Sequence, residues 1–149
     1  MTLRLVLDTN VWLDWLVFDD PGVLPLKLAV KTGTACVFIN AACLDELERV
    51  LAYPLLKNPL DEAQRTACIA ACRSCARLAE IGPAPSLPRC ADPDDQKFLE
   101  LAAGIGADCL LSRDLALLAM RQKRGLPFHI MTPGEFSMRS GVEFPKQHR

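Results

Sequence analysis

Along this chain, short apolar runs alternate with longer stretches of helical periodicity. The first run, Leu3–Leu7, ends at Asp8-Thr9-Asn10, which predicts a short buried strand closing on a charged turn. Apolar spacing then predicts a helix over residues 11–18, broken by Asp19-Asp20-Pro21-Gly22, and a second helix over Leu24–Lys31 that Gly33 stops. Residues 36–39 read as a second strand. In "NAACLDELERVLAYP", Leu44, Leu47, Val50 and Leu51 recur at helical spacing, and Pro54 marks the exit. Residues 61–80 read as one long helix. The proline-rich "GPAPSLPRC" at 82–90 predicts a loop and not a domain linker, because apolar patterning resumes on both sides. Beyond it come a helix, a strand at Cys109–Leu111, another helix, a last strand near 128–131, and a capped helix from about Thr132.

Strands alternating with helices predict an α/β fold: three layers, α/β/α, around a mainly parallel sheet. Residues 1–140 are expected to form a single domain, with 141–149 a disordered tail. At 149 residues and 50% hydrophobic content the chain can bury one sizeable core. Its 17 basic and 18 acidic residues leave a net charge of −1, so no global field marks a nucleic-acid or membrane partner. No apolar run approaches the roughly 18 residues that cross a bilayer, and the N-terminus carries no leader pattern. With seven cysteines, an odd number, a reducing cytoplasmic setting is expected. Cys68, Cys72 and Cys75 share one helix face. That helix is alanine-rich and no histidine lies near enough to complete a tetrahedron, so they read as small apolar residues and not as a zinc site.

The acids change the picture. Asp8 ends the first strand and Asp114 follows the third by three residues, so both project from one edge of a parallel sheet, where ligands bind. Each also suits a helix cap. Asp92-Pro93-Asp94-Asp95 is a helix start with Asp92 as cap, yet Asp95 shares a stripe with Phe98, Leu99 and Ala102 that turns it inward. A buried charge needs a partner, and no basic residue of the segment is obviously placed to serve. Glu46 flanks the apolar stripe of its helix and Glu48 flanks it equally well; helical geometry does not choose between them, and either reads as a solvated acid when taken alone. As a set, carboxylates crowded at one edge repel unless a cation neutralises them. Hard oxygen ligands without histidine select Mg²⁺ or Mn²⁺, and both histidines, His129 and His148, are remote in sequence. Such an ion suits phosphodiester hydrolysis.

The order "LVLDTNV", "CLDELERVL", "DPDDQKFLELA", "ADCLLSRD" resembles the PIN-domain nucleases, particularly the bacterial branch of toxins from toxin–antitoxin pairs, from Arg4 to about Phe136. The resemblance implies a metal-dependent endoribonuclease. Asp8, Glu46, Asp95 and Asp114 are then the catalytic, metal-binding acids, which selects Glu46 over Glu48; Asn10, Asp92 and Ser112 take secondary, orienting roles. It also implies an RNA substrate, a small antitoxin protein, a homodimer and 5′-phosphate products. Two departures stand out. Arg113 replaces the family's usual glycine, as an RNA phosphate contact or a plain surface residue, and Trp12 and Trp15 stand where smaller residues are frequent, as a base-stacking platform or as core or dimer packing.

The rival to an active enzyme is a catalytically weak RNA-binding or protein-interaction module on the same fold. A phosphatase working through an aspartyl intermediate needs a second aspartate two residues after the first, where this chain has Asn10. A dinucleotide site fares worse, because "GIGAD" at 104–108 ends a helix and lacks the full glycine pattern.

Overall fold

In the computed structural model, which describes residues 1–54, 59–80 and 86–139, strand β1 (Leu3–Leu7) is the centre of a five-stranded parallel sheet. β2 (Ala35–Ile39) lies on one side of it and β4 (Cys109–Leu111) on the other; β3 (Ala76–Leu78) and β5 (His129–Met131) form the edges, giving the order β3-β2-β1-β4-β5. Leu5 is in register with Val37 and with Cys109, and Leu7 with Leu111. Leu5, Val6 and Leu7 are buried without alternation, as are Cys109, Leu110 and Leu111. Side chains on both faces of a strand can be dry only if both faces are covered, so these runs are continuously apolar instead of alternating.

Among the described residues, seven α-helices supply the cover: α1 (Thr9–Leu16), α2 (Leu24–Lys31), α3 (Ala41–Leu51), α4 (Glu62–Cys75), α5 (Gln96–Ile105), α6 (Leu115–Ala119) and α7 (Pro133–Met138). α2 packs on β2, α5 on β1 and β4, and α3 meets α1, α4 and α5. Local chemistry sets the helix starts. The Asn40 side chain accepts from Cys43 N, and capping boxes at Asp61/Gln64 and Thr132/Glu135 each satisfy two backbone groups that lack a helical partner. α5 stops at Gly106, whose φ of 65° turns the chain left-handed toward β4, so "GIGAD" closes a helix as its pattern predicts. Trp12, Phe98, Leu47, Leu51, Leu99, Leu101 and Leu117 fill the interior between the layers.

Three expectations shift. The helix expected over 61–80 ends at Cys75, because residues 76–78 pair with β2 (Val37 with Ala76, Ile39 with Leu78) and become an edge strand. The strand at Cys109–Leu111 is therefore the fourth in chain order, not the third. The first helix begins at Thr9 and not at residue 11, because the Asp8 carbonyl already accepts from Val11 N and Trp12 N. The tail 141–149, His148 and residues 82–85 of the proline-rich segment lie outside the described residues.

The chain runs outward from β1 through β2 to β3, then returns past β1 to β4 and β5. The carboxyl ends of β1 and β4 are thus neighbours whose connections leave in opposite directions. A crevice opens at such a switch point because no crossover covers it.

Candidate metal centre at the sheet switch point

Asp8 leaves the end of β1 with its carboxyl almost wholly buried. Its Oδ1 accepts from Thr9 N at 2.6 Å and its Oδ2 from Ser112 Oγ at 2.6 Å. Ser112, fully buried one residue beyond β4, accepts in turn from Asp114 N at 2.9 Å. One hydroxyl therefore ties the two strand ends together and fixes both aspartates. Burial, the larger effect, and the nearby charges of Asp114 and Glu46 push the Asp8 carboxyl up to about 6, against the downward pull of its two hydrogen bonds.

Asp92, Asp95 and Asp114 converge, each offering a carboxylate oxygen within 4.8 Å of the others. Among the described residues this is the group whose His, Cys, Asp or Glu side chains could hold a metal ion. Asp92 and Asp114 also act as caps: Asp92 Oδ1 accepts from Asp94 N at 3.0 Å, and Asp114 Oδ1 from Ala116 N at 2.8 Å. Asp95 differs. It is 7% exposed, on the turn of helix that precedes α5, and its buried Oδ2 has no hydrogen-bond donor. The Asp114 carboxyl beside it becomes a partner only if a proton is shared between them. Burial first, then Asp114, Asp8 and Asp92, raises the Asp95 carboxyl well above the usual range.

Glu46 stands on the flank of this group. Its Oε1 lies 2.6 Å from Lys97 Nζ and its Oε2 accepts from Thr9 Oγ1. Glu48 is exposed and lines a groove of about 420 Å³ with Arg65, Ile69 and Arg73, remote from the aspartates. Asn10 Oδ1 accepts weakly from Arg113 N at 3.4 Å. The exposed Arg113 guanidinium pairs at 2.8 Å with the buried Asp14. Trp12 is buried and Trp15 half-buried against it, ring centroids 5.4 Å apart, which is core packing and not a stacking platform. Cys68, Cys72 and Cys75 are free, and burial pushes the Cys72 thiol up to about 12.

The model of a known family, described as PIN domain, matches residues 4–116. The chain belongs to the PIN domain family. No curated protein matches the chain. The matched segment contains Asp8, Glu46, Asp92, Asp95 and Asp114, and the parallel sheet flanked by helices is the architecture a PIN domain requires. PIN domains are generally metal-dependent nucleases, and the acidic group of this one fits that chemistry. The fit rests on Asp95: a carboxylate oxygen withdrawn from water, lacking a donor and facing two other carboxylates, is tolerable beside a cation and costly without one.

Thr9 and Lys97 reach the acidic region only through tertiary structure. In the sequence Thr9 is only part of the polar turn after β1, yet it contacts both Asp8 and Glu46. Nothing in the sequence connects Lys97 with Glu46, 51 positions away. Among the described residues, no helix is long and apolar enough to cross a membrane.

Proposed function

We propose that this PIN domain is a divalent-metal-dependent endoribonuclease that hydrolyses RNA phosphodiester bonds, the toxin component of a toxin–antitoxin pair. The observation that carries the reading is the unpartnered, buried Oδ2 of Asp95 within the Asp92, Asp95 and Asp114 group. Asp95 and Asp114 would hold Mg²⁺ or Mn²⁺, with Asp92 at the open side and Asp8 behind them, its carboxyl aligned by Thr9 N and Ser112 Oγ. When bound, such an ion ionises a water and neutralises the nonbridging oxygens of a phosphodiester. Ser112 keeps Asp8 and the Asp114 backbone in fixed relation, so the acids need not reorganise when substrate arrives. Asn10 steadies the backbone between Ser112 and Asp114 through Arg113 N. Because the net charge is −1, RNA must be drawn in by local basic residues. Family resemblance supports a small antitoxin partner and a homodimer.

The test is incubation of the purified protein with labelled single-stranded RNA, with Mg²⁺ or Mn²⁺ and with a chelator. Metal-dependent fragments bearing 5′-phosphates are expected. Asp95→Asn keeps the side-chain shape and should cut the rate by roughly a hundredfold or more, since changes even to groups behind the ligands commonly cost ten- to a hundredfold. RNA binding without metal-dependent cleavage by the intact protein would replace the enzyme reading with a binding module.

A further inference from the structure

The geometry points to Lys97 as a built-in cation of the site: its ammonium takes the place beside Glu46 that a second divalent ion would need, and so limits the centre to one metal. This inference rests on the metal-centre reading above and adds its stoichiometry. The two halves of the acidic region are treated differently. On one side, Asp92, Asp95 and Asp114 converge, with no salt bridge to any of them among the described residues, and Asp95 Oδ2 lacks a donor. On the other, both oxygens of Glu46 are engaged, Oε1 by Lys97 at 2.6 Å and Oε2 by Thr9.

Lys97 is held where it is. Its Nζ also donates to the Asp94 carbonyl, and the ammonium lies 5.2 Å from the Phe98 ring centroid. Side-chain exposures of 21% for Lys97 and 16% for Glu46 mark a pair largely withdrawn from water, unlike the exposed Lys27–Asp19 pair, whose acid is 84% exposed. An ion pair so shielded is weakly screened, and removing one partner leaves the other charge buried and uncompensated. A divalent ion approaching Glu46 would meet the Lys97 charge at the same oxygen. One approaching Asp95 meets the converging carboxylates of Asp92 and Asp114.

The experiment is titration of the metal-free, full-length protein with Mn²⁺, counting free ion by electron paramagnetic resonance and heat by calorimetry. The wild type should bind one ion. Lys97→Gln should bind two, and Lys97→Gln combined with Glu46→Gln should return to one, because the released carboxylate is then gone. Lys97→Arg, which keeps a cation there, should also stay at one. Two ions in the wild type, or one ion in Lys97→Gln, would each overturn the inference; the first tests it even if the lysine variant does not fold. Asp95→Asn separates the two levels: it should abolish the first ion, and if it does not, the metal-centre reading itself fails whatever Lys97 does.

Discussion

Replacing Asp8 by asparagine should stabilise this protein in the absence of metal while weakening its function. The wild-type carboxyl has an ordinary value of 3.8 and a folded value of about 6. At about 1.36 kcal/mol per pKa unit, the ionised native state above pH 6 carries a penalty of about 3 kcal/mol. The sign follows from proton counting. Below pH 3.8 both states hold the proton and the penalty is absent. Between 3.8 and 6 the unfolded chain releases its proton while the native protein retains it, so stability falls as pH rises, and above 6 the loss is complete. Asparagine does not titrate and can still accept from Thr9 N. It forfeits the hydrogen bond from Ser112 to a carboxylate, which costs about 1 kcal/mol. The net gain at pH 7.5 is then about 2 kcal/mol, or roughly 4–8 °C in Tm for a chain of this size. Thermal melts with a chelator at pH 4 and pH 7.5 read both limbs: the variant should melt higher than wild type at pH 7.5 and no higher at pH 4. Saturating Mn²⁺ should shrink or reverse the difference, since wild type alone gains the full binding energy, about 2.7 kcal/mol at a hundredfold excess over Kd. A chelated variant that melts below wild type at pH 7.5, or an offset that is the same at both pH values, would refute the electrostatic account of the site.

Ser112→Ala removes the donor to Asp8 and the acceptor of Asp114 N, and should lower stability by about 1–3 kcal/mol by denaturant titration, with the Asp8 carboxyl rising further as its Ser112 bond is lost. Arg113→Ala leaves Asp14, which is 3% exposed, without its guanidinium; because that arginine is half-exposed, a loss of about 1–2 kcal/mol is expected and should be largely rescued by Asp14→Asn in a double-mutant cycle. Glu48→Ala should change neither Mn²⁺ affinity nor RNA cleavage, because this carboxyl lies on the exposed flank of α3; a large loss in either assay would place Glu48 at the site.

Sequence alone determined what depends on near neighbours. Leu3–Leu7 reads as a buried strand, and Asp8, Asp92, Asp114 and Thr132 suit helix starts because capping is a contact over two or three residues. The inward turn of Asp95 was legible from its stripe with Phe98, Leu99 and Ala102, since helical period fixes direction. Other features needed partners far along the chain. Residues 76–78 follow a helix without any strong strand signal and become β3 only because the edge of β2 offers unpaired backbone groups. The bond from Ser112 to Asp8 spans 104 positions, and those from Thr9 and Lys97 to Glu46 span 37 and 51. Periodicity could not choose Glu46 over Glu48, because both flank the same stripe; the packing of α3 beside α1 and α5 decided which of them stands near the acids. Local pattern fixes where a side chain leaves its own element. Which charge meets which is set by the packing of elements distant in sequence, and on that depends whether an acid is a cap, an ion-pair partner or a carboxylate awaiting a cation.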